Sequence, residues 1–327
     1  MKILTVNANE AGQRLDKLLA KYLNLAGKGF LYKMLRKKNI TLNGKKCDGS
    51  EKLVEGDEIK LFLSDETIEK FSDLKIQKVK KTKLDIIYED EHILLVNKPV
   101  GMLSQKAKDS DESLVEYIID YLLDQGSLTK EDLKTFRPSV CNRLDRNTSG
   151  LVAAGKSLAG LQILSAVFKD RTIHKYYQCL VAGSMKQSQT IRGFLLKEEA
   201  TNRVTIHKTQ AEGSLPIATE YEPLWSQTAC SLVKVTLITG RTHQIRAHLA
   251  SIGHPILGDP KYGNARINRQ MEQAYGLKNQ LLHSWKLVMP ENLPAPLDHL
   301  SGASFYAPLP SMFSKVEAGE HQKQERG

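Results

Sequence analysis

Along the first sixty residues the apolar positions fall into two short helical patterns and then an alternating one. In RLDKLLAKYL, Leu15, Leu18, Leu19 and Tyr22 recur at i, i+3, i+4 and i+7, which predicts one amphipathic helix. Gly27-Lys28-Gly29 interrupts it. Leu31, Met34 and Leu35 then predict a second short helix with its basic residues on the opposite face. Ile40-Thr41-Leu42 runs into Asn43-Gly44, a type I′ hairpin signal, and VEGDEIKLFL supplies a turn and a strand alternating Ile59, Leu61 and Leu63. The pattern predicts a small helix-pair-plus-hairpin unit over 1–63. Residues 64–83 are polar and highly charged, with too few apolar positions to pack, and read as a linker. The end of the chain, 314–327, reads as a flexible tail.

From Leu84 onward short strand patterns dominate. Predicted strands are HILLVNK, LVAAGK, KYYQCLVAG, RVTIHK, ATEYEPLW, SLVKVTLIT and LLHSWKLVM; predicted helices cover 111–124, 157–169 and 243–252. Strand runs without regular βαβ alternation indicate a mainly antiparallel α+β domain over 84–313.

Charge adds a partner class to this picture. The 327 residues carry a net +10, and residues 1–83 hold 19 Lys and Arg against 11 Asp and Glu, so most of the excess sits in the first quarter. Between Asp16 and Asp48 there is no acid, while Lys17, Lys21, Lys28, Lys33, Arg36, Lys37, Lys38, Lys45 and Lys46 fall inside that window. So one-sided a block attracts a polyanion through counterion release. The four cysteines lie far apart with no CxxC or Cys/His cluster, so neither a disulfide framework nor a metal site is expected. With no run apolar enough to span a bilayer and no apolar leader, the expectation is a cytoplasmic protein without membrane contact.

Three strings carry candidate chemistry. In Cys141-Asn-Arg-Leu-Asp-Arg-Asn-Thr-Ser-Gly150, Asp145 lies between Arg143 and Arg146 in a turn-rich loop; flanking cations keep a carboxylate ionised, as a nucleophile requires. The plain alternative is a loop aspartate paired with a neighbouring arginine. In Thr239-Gly-Arg-Thr-His-Gln-Ile-Arg-Ala-His-Leu249 a strand turns into a helix with Thr242 as its expected N-cap, and His243 and Arg246 share one helix face. Arg246 is a candidate partner for Asp145; His243 and His248 are each as readily core or surface histidines. In Lys175-Tyr-Tyr-Gln-Cys-Leu-Val-Ala-Gly183 a strand presents Tyr177, Cys179 and Val181 on one face, and a tyrosine facing a cleft can stack on a flat base. Asn97-Lys-Pro-Val-Gly101 and Gly258-Asp-Pro-Lys-Tyr-Gly263 read as ordinary Gly/Pro turns. Asp259 could also join Asp145 as the second carboxylate of a glycosidase.

In this order and spacing, NKPVG, NRLDRNTSGL, KYYQCLVAG, TGRTHQIRAHL and GDPKYG resemble the RluA-type pseudouridine synthases, and residues 12–63 resemble the small RNA-binding domain named after ribosomal protein S-four. The resemblance implies isomerisation of particular uridines in structured RNA, with large-subunit ribosomal RNA the expected substrate. It implies no cofactor and no metal, and a monomeric enzyme is expected. By motif position it makes Asp145 the catalytic aspartate, Arg246 its salt-bridge partner, Tyr177 the ring against the target base, and Arg143 the side chain that fills the gap left by a flipped nucleotide. Lys33, Arg36, Lys37 and Lys38 are the expected RNA contacts of the N-terminal unit. One departure stands out: Asn142 occupies the place where the family usually has histidine. The competing expectation is a non-catalytic RNA-binding factor of ribosome assembly.

Overall fold

The computed structural model describes residues 1–80, 82–198, 200–201 and 203–326, with side chains through Lys323. Lys81 of the expected linker and Gly327 of the expected tail lie outside the described residues.

The N-terminal unit is a four-stranded antiparallel sheet with two helices. Its elements are β1 (Lys2–Thr5), α1 (Leu15–Tyr22), α2 (Lys28–Arg36), β2 (Ile40–Leu42), β3 (Lys45–Lys46) and β4 (Glu58–Leu61), in strand order β1-β4-β2-β3. The predicted apolar stripe is what packs: Leu15, Leu18, Leu19 and Tyr22 meet Leu31, Met34, Leu35, Ile59 and Leu61 in one core. Asn43 and Gly44 both take positive φ, 49° and 72°, the pair of left-handed residues that a type I′ turn requires. With that face committed inward, Lys33, Arg36, Lys37, Lys38, Lys45 and Lys46 are exposed.

Residues 64–83 are less free than expected. α3 (Asp65–Phe71) is capped by Ser64, whose hydroxyl accepts from the Thr67 N–H at 3.2 Å. Ile68 and Phe71 pack on the N-terminal core, with the Phe71 and Phe30 ring centroids 4.4 Å apart. Leu74 and Ile76 pack instead on the core of the larger domain. Four apolar residues divided between two surfaces leave no single period to read, which is why the pattern looked like a linker.

The larger domain is built on an eleven-stranded mixed sheet. In chain order it comprises β5 (Ile86–Glu89), β6 (Ile93–Lys98), α4 (Leu114–Asp124), β7 (Ser139–Val140), β8 (Ser149–Gly155), α5 (Leu158–Asp170), β9 (His174–Ala182), β10 (Gln189–Glu198), β11 (Arg203–His207), β12 (Leu215–Ser226), β13 (Cys230–Leu237), α6 (Gln244–Ser251), α7 (Ala265–Tyr275), β14 (Leu282–Val288), β15 (Ser304–Tyr306) and α8 (Ser311–Arg326). The sheet order is β11-β10-β12-β13-β9-β14-β8-β6-β5, with β15 on β14 and β7 on β8. Among the described residues, every strand pairing in the sheet is antiparallel except β14 with β8. All seven predicted strands and all three predicted helices form. The sequence pattern missed β5, β7, β10, β15 and α7.

The expectation of a flexible tail is corrected by α8. Phe313 and Val316 are buried, the Tyr275 hydroxyl donates to Glu320 Oε1 at 2.7 Å, and Lys315 Nζ donates to the Tyr275 carbonyl at 2.9 Å. Two apolar residues and a buried glutamate dock this helix on α7, too sparse a signal to stand out in a polar segment.

This parallel pairing of β14 with β8 is the seam that positions the site. His283 lies opposite Ser149 and Ser284 opposite Gly150, while Ser284 also lies opposite Tyr177 on the other side of β14. Gly150 has φ +109°, and a Cβ there would sit 2.2 Å from the Ser284 carbonyl oxygen. Only glycine permits that approach.

Candidate active site

Asp145 sits in the loop between β7 and β8, and three anchors hold the loop's backbone. Ser104 Oγ bridges Leu144, donating to its carbonyl and accepting from its N–H, each at 3.0 Å. Lys98, at the end of β6, is fully buried; its Nζ donates to the carbonyls of Pro99 (2.9 Å), Met102 (2.8 Å) and Arg146 (3.1 Å). Three carbonyls satisfy all three ammonium protons. Burial still pushes this lysine down to about 7, against the pull of Asp145. Asn142 is the third anchor: its Oδ1 accepts from the Ala153 N–H at 2.8 Å and its Nδ2 donates to the Leu151 carbonyl at 3.2 Å. The residue that departs from the family pattern is thus a backbone brace that ties the loop to β8.

Arg246 reaches this loop from α6. The helix is fixed by Gln244, whose buried amide donates to the Ala218 carbonyl and Thr219 Oγ1 and accepts from Thr239 Oγ1 and the Arg241 N–H. Arg246 Nη1 donates to Asp145 Oδ2 at 2.7 Å, across 101 residues of sequence. The Asp145 side chain is 26% exposed and that of Arg246 only 6%. The Asp145 side chain therefore keeps contact with solvent while that of Arg246 is buried.

Arg246 is itself clamped from behind. Its Nε donates to Asp259 Oδ2 at 2.7 Å and its Nη2 to Asp259 Oδ1 at 2.8 Å, a bidentate pair. Asp259 Oδ1 also accepts the N–H groups of Lys261 (2.8 Å) and Tyr262 (3.0 Å). Burial works to raise the Asp259 carboxyl, but the Arg246 hydrogen bonds and charge hold it below its ordinary value. The Arg246 guanidinium is held above its ordinary value by Asp259 first and Asp145 second, although burial opposes them. The glycosidase alternative fails here: Asp259 has no exposed side-chain surface and both its oxygens are taken, so it can reach neither water nor a leaving group.

Tyr177 lies on β9, one strand across the seam, 6% exposed. Burial pushes its phenol up to about 12, and the negative charge of Asp145 adds to the effect. The two groups therefore share one electrostatic neighbourhood, which the sheet order β9-β14-β8 creates. Arg143, two residues before Asp145, is exposed. Lys33, Arg36, Lys37 and Lys38 belong to the separate N-terminal unit.

Thr242 is not the N-cap. That position is held by His243, in a left-handed conformation with φ 53°, so the turn into α6 is tighter than a threonine cap would make it. Its ring approaches the Asp145 oxygen that Arg246 does not hold, with Nε2 4.0 Å from Oδ1. The residues underrated by sequence are Lys98, Asp259 and Tyr262, all inside the two segments read as ordinary turns. One signal was available: Lys98 closes the apolar run ILLVN, where an unpaired lysine would be costly.

A loop carboxylate, an arginine shared with a buried second aspartate, and a buried tyrosine thus come together at the seam of a mainly antiparallel sheet. Residues 92–251 match the family of RNA pseudouridylate synthases. The chain is 31% identical over 293 residues to ribosomal large subunit pseudouridine synthase C of Vibrio vulnificus, covering 87% of each, with the same figures for the Escherichia coli protein of that name. Its fold is similar to human RNA pseudouridylate synthase domain containing 4, at a TM-score of 0.57 and 21% identity over 70% of this chain and 90% of that one. The chain belongs to the RNA pseudouridylate synthase family.

Proposed function

We propose that this enzyme converts uridines of large-subunit ribosomal RNA to pseudouridine in the cytoplasm, as a monomer, with Asp145 as the nucleophile. The target nucleotide must leave its stack before its ring can be reached. Arg143, exposed beside the site, is placed to fill the space it vacates. The base then lies against Tyr177, with the open oxygen of Asp145 facing it. Asp145 Oδ1 bonds to C1′ as the N1–C1′ bond breaks, or to C6 of the ring before it does; the uracil turns, C5–C1′ forms and the Oδ1 bond breaks, while C5 loses its proton and N1 gains one. Arg246 holds the other oxygen, so the carboxylate keeps one orientation while its charge is consumed and returned. The N-terminal unit, 1–63, grips RNA through Lys33, Arg36, Lys37 and Lys38 by the helix-pair-plus-hairpin mode of the ribosomal protein S-four domain, and the catalytic domain runs from Leu84 through α8.

The observation that carries this reading is the 2.7 Å contact between Arg246 and Oδ2 of Asp145, in a side chain that stays 26% exposed and whose Oδ1 accepts no hydrogen bond among the described residues. Asp145→Asn tests it. Pseudouridine formation on ribosomal RNA, read by reverse-transcription stops after carbodiimide labelling, is expected to fall to background while RNA affinity stays nearly unchanged. Retained activity refutes the assignment; an inactive Asp145→Asn that rescues any deletion phenotype as well as wild type favours a binding factor.

A further inference from the structure

Arg246 accounts for one oxygen of Asp145. The other, Oδ1, faces the imidazole of His243, whose side chain is 9% exposed. His243 Nδ1 is 2.9 Å from the Tyr262 hydroxyl, and that hydroxyl also accepts the Val204 N–H at 3.0 Å. The Tyr262 ring is fixed in turn, with the Arg246 guanidinium 5.2 Å and the Arg203 guanidinium 5.8 Å from its centroid. These contacts decide where the imidazole carries its proton. If the phenol donates to Nδ1, all three groups are satisfied and Nε2–H points at Asp145. If Nδ1–H donates instead, the phenol proton loses its acceptor and a bare Nε2 lone pair faces a carboxylate.

We infer that His243 is a positioning residue for Asp145, held by Tyr262 as the Nε2–H tautomer so that it offers a neutral donor to the oxygen Arg246 leaves open. The inference rests on Asp145 being the nucleophile. At 4.0 Å the donor does not bind Oδ1 in the free enzyme, which leaves that oxygen able to attack. When the bond from Oδ1 to the substrate breaks and charge returns to it, the N–H stands ready to stabilise the departing carboxylate. A doubly protonated imidazole would instead pair with Oδ1 and quench it. The charged groups facing His243 are Asp145 from the β7–β8 loop, Arg246 from its own helix, and Lys261 and Asp259 from the loop after α6. Two are negative and two positive, so burial decides and keeps the ring neutral.

The test combines tautomer, rate and pH. Nitrogen-15 NMR of the free enzyme should show His243 Nδ1 unprotonated and Nε2 protonated; the reverse assignment overturns the inference without reference to activity. In single turnovers His243→Asn, whose short amide reaches Tyr262 but not Asp145 and whose residue type tolerates positive φ, should slow product formation by roughly 10²-fold, the scale of a lost positioned donor, with RNA affinity unchanged. His243→Gln, which carries an amide N–H out to about the Nε2 position, should recover most of the rate and lose the decline of wild-type rate toward acid pH. Tyr262→Phe keeps the stacked ring but frees the tautomer, and should cost about tenfold in rate with little change in RNA affinity. Equal rates for His243→Asn and wild type would sink the inference. A wild-type enzyme without activity would count against the proposed function, and the NMR assignment would still decide the tautomer.

Discussion

Asp259 touches no substrate, yet the geometry makes the site depend on it. Asp259→Asn is nearly isosteric and removes the charge. If the new amide oxygen takes the Oδ1 position, which accepts from Arg246 Nη2 and the N–H groups of Lys261 and Tyr262, the amide nitrogen must face Arg246 Nε, donor against donor. Flipping the amide sets it against three donors instead. The Arg246 side chain is only 6% exposed, so water cannot replace the lost partner. Breaking a buried pair from one side costs about 3–5 kcal/mol, and the hydrogen bonds that asparagine keeps place this case near 3. In a domain of this size that lowers Tm by about 6–12 °C. The guanidinium, pulled toward its one remaining partner, shifts the Asp145 carboxylate, and a displacement near 1 Å costs roughly 10²-fold in rate. Urea unfolding and single-turnover pseudouridine formation measure the two effects. Acid sensitivity supplies a third measurement. Because the folded value of Asp259 lies below its ordinary 3.8, its stabilisation is present above that pH and is lost as pH falls through the folded value, a term absent from Asp259→Asn. An Asp259→Asn enzyme with wild-type stability and rate would refute the clamp.

Gly150→Ala is expected to destabilise by about 2–4 kcal/mol, combining positive-φ strain with overpacking against the Ser284 backbone, and to lose activity because the β8–β14 seam carries the Asp145 loop; an unshifted urea midpoint contradicts this. Lys98 is expected to make stability rise with pH between about 7 and 10.5, since across that range the unfolded chain binds the proton that the folded one releases. Lys98→Met should flatten that rise, and an unchanged pH dependence would remove the argument. Neutralising Lys33, Arg36, Lys37 and Lys38 together should lower the slope of log affinity against log salt by roughly 3 if each meets a phosphate, with kcat on bound RNA preserved; an unchanged slope leaves the basic window without a role.

The Asp145–Arg246 contact was legible because both residues sit in long strings of specific chemistry, each readable as one turn feeding one strand or helix. The anchors behind it were harder to read. Asp259 and Tyr262 lie in a Gly-Asp-Pro turn that needs no further explanation as a turn, and Lys98 ends a strand whose apolar run drew attention to the core. Their meaning comes from non-local partners 13 to 58 residues away. His243 shows the limit from another side: it meets the same carboxylate as Arg246, but from the N-cap position rather than from a shared helix face, and the left-handed backbone there carries no local signature in a non-glycine residue. The connector and the C-terminal helix were misread for a related reason, since each docks through a few apolar residues rather than a repeating stripe.

By itself the amino-acid sequence determined the two amphipathic helices, the Asn43-Gly44 turn, the seven strands and the basic window, because hydrophobic period, turn stereochemistry and charge density are properties of neighbouring residues. The tertiary structure alone decided that β14 pairs in parallel with β8, that Gly150 lets them meet beside Tyr177, and that one guanidinium serves two carboxylates. Those outcomes depend on which distant backbones share hydrogen bonds and which charges lose water together, and no local pattern encodes them.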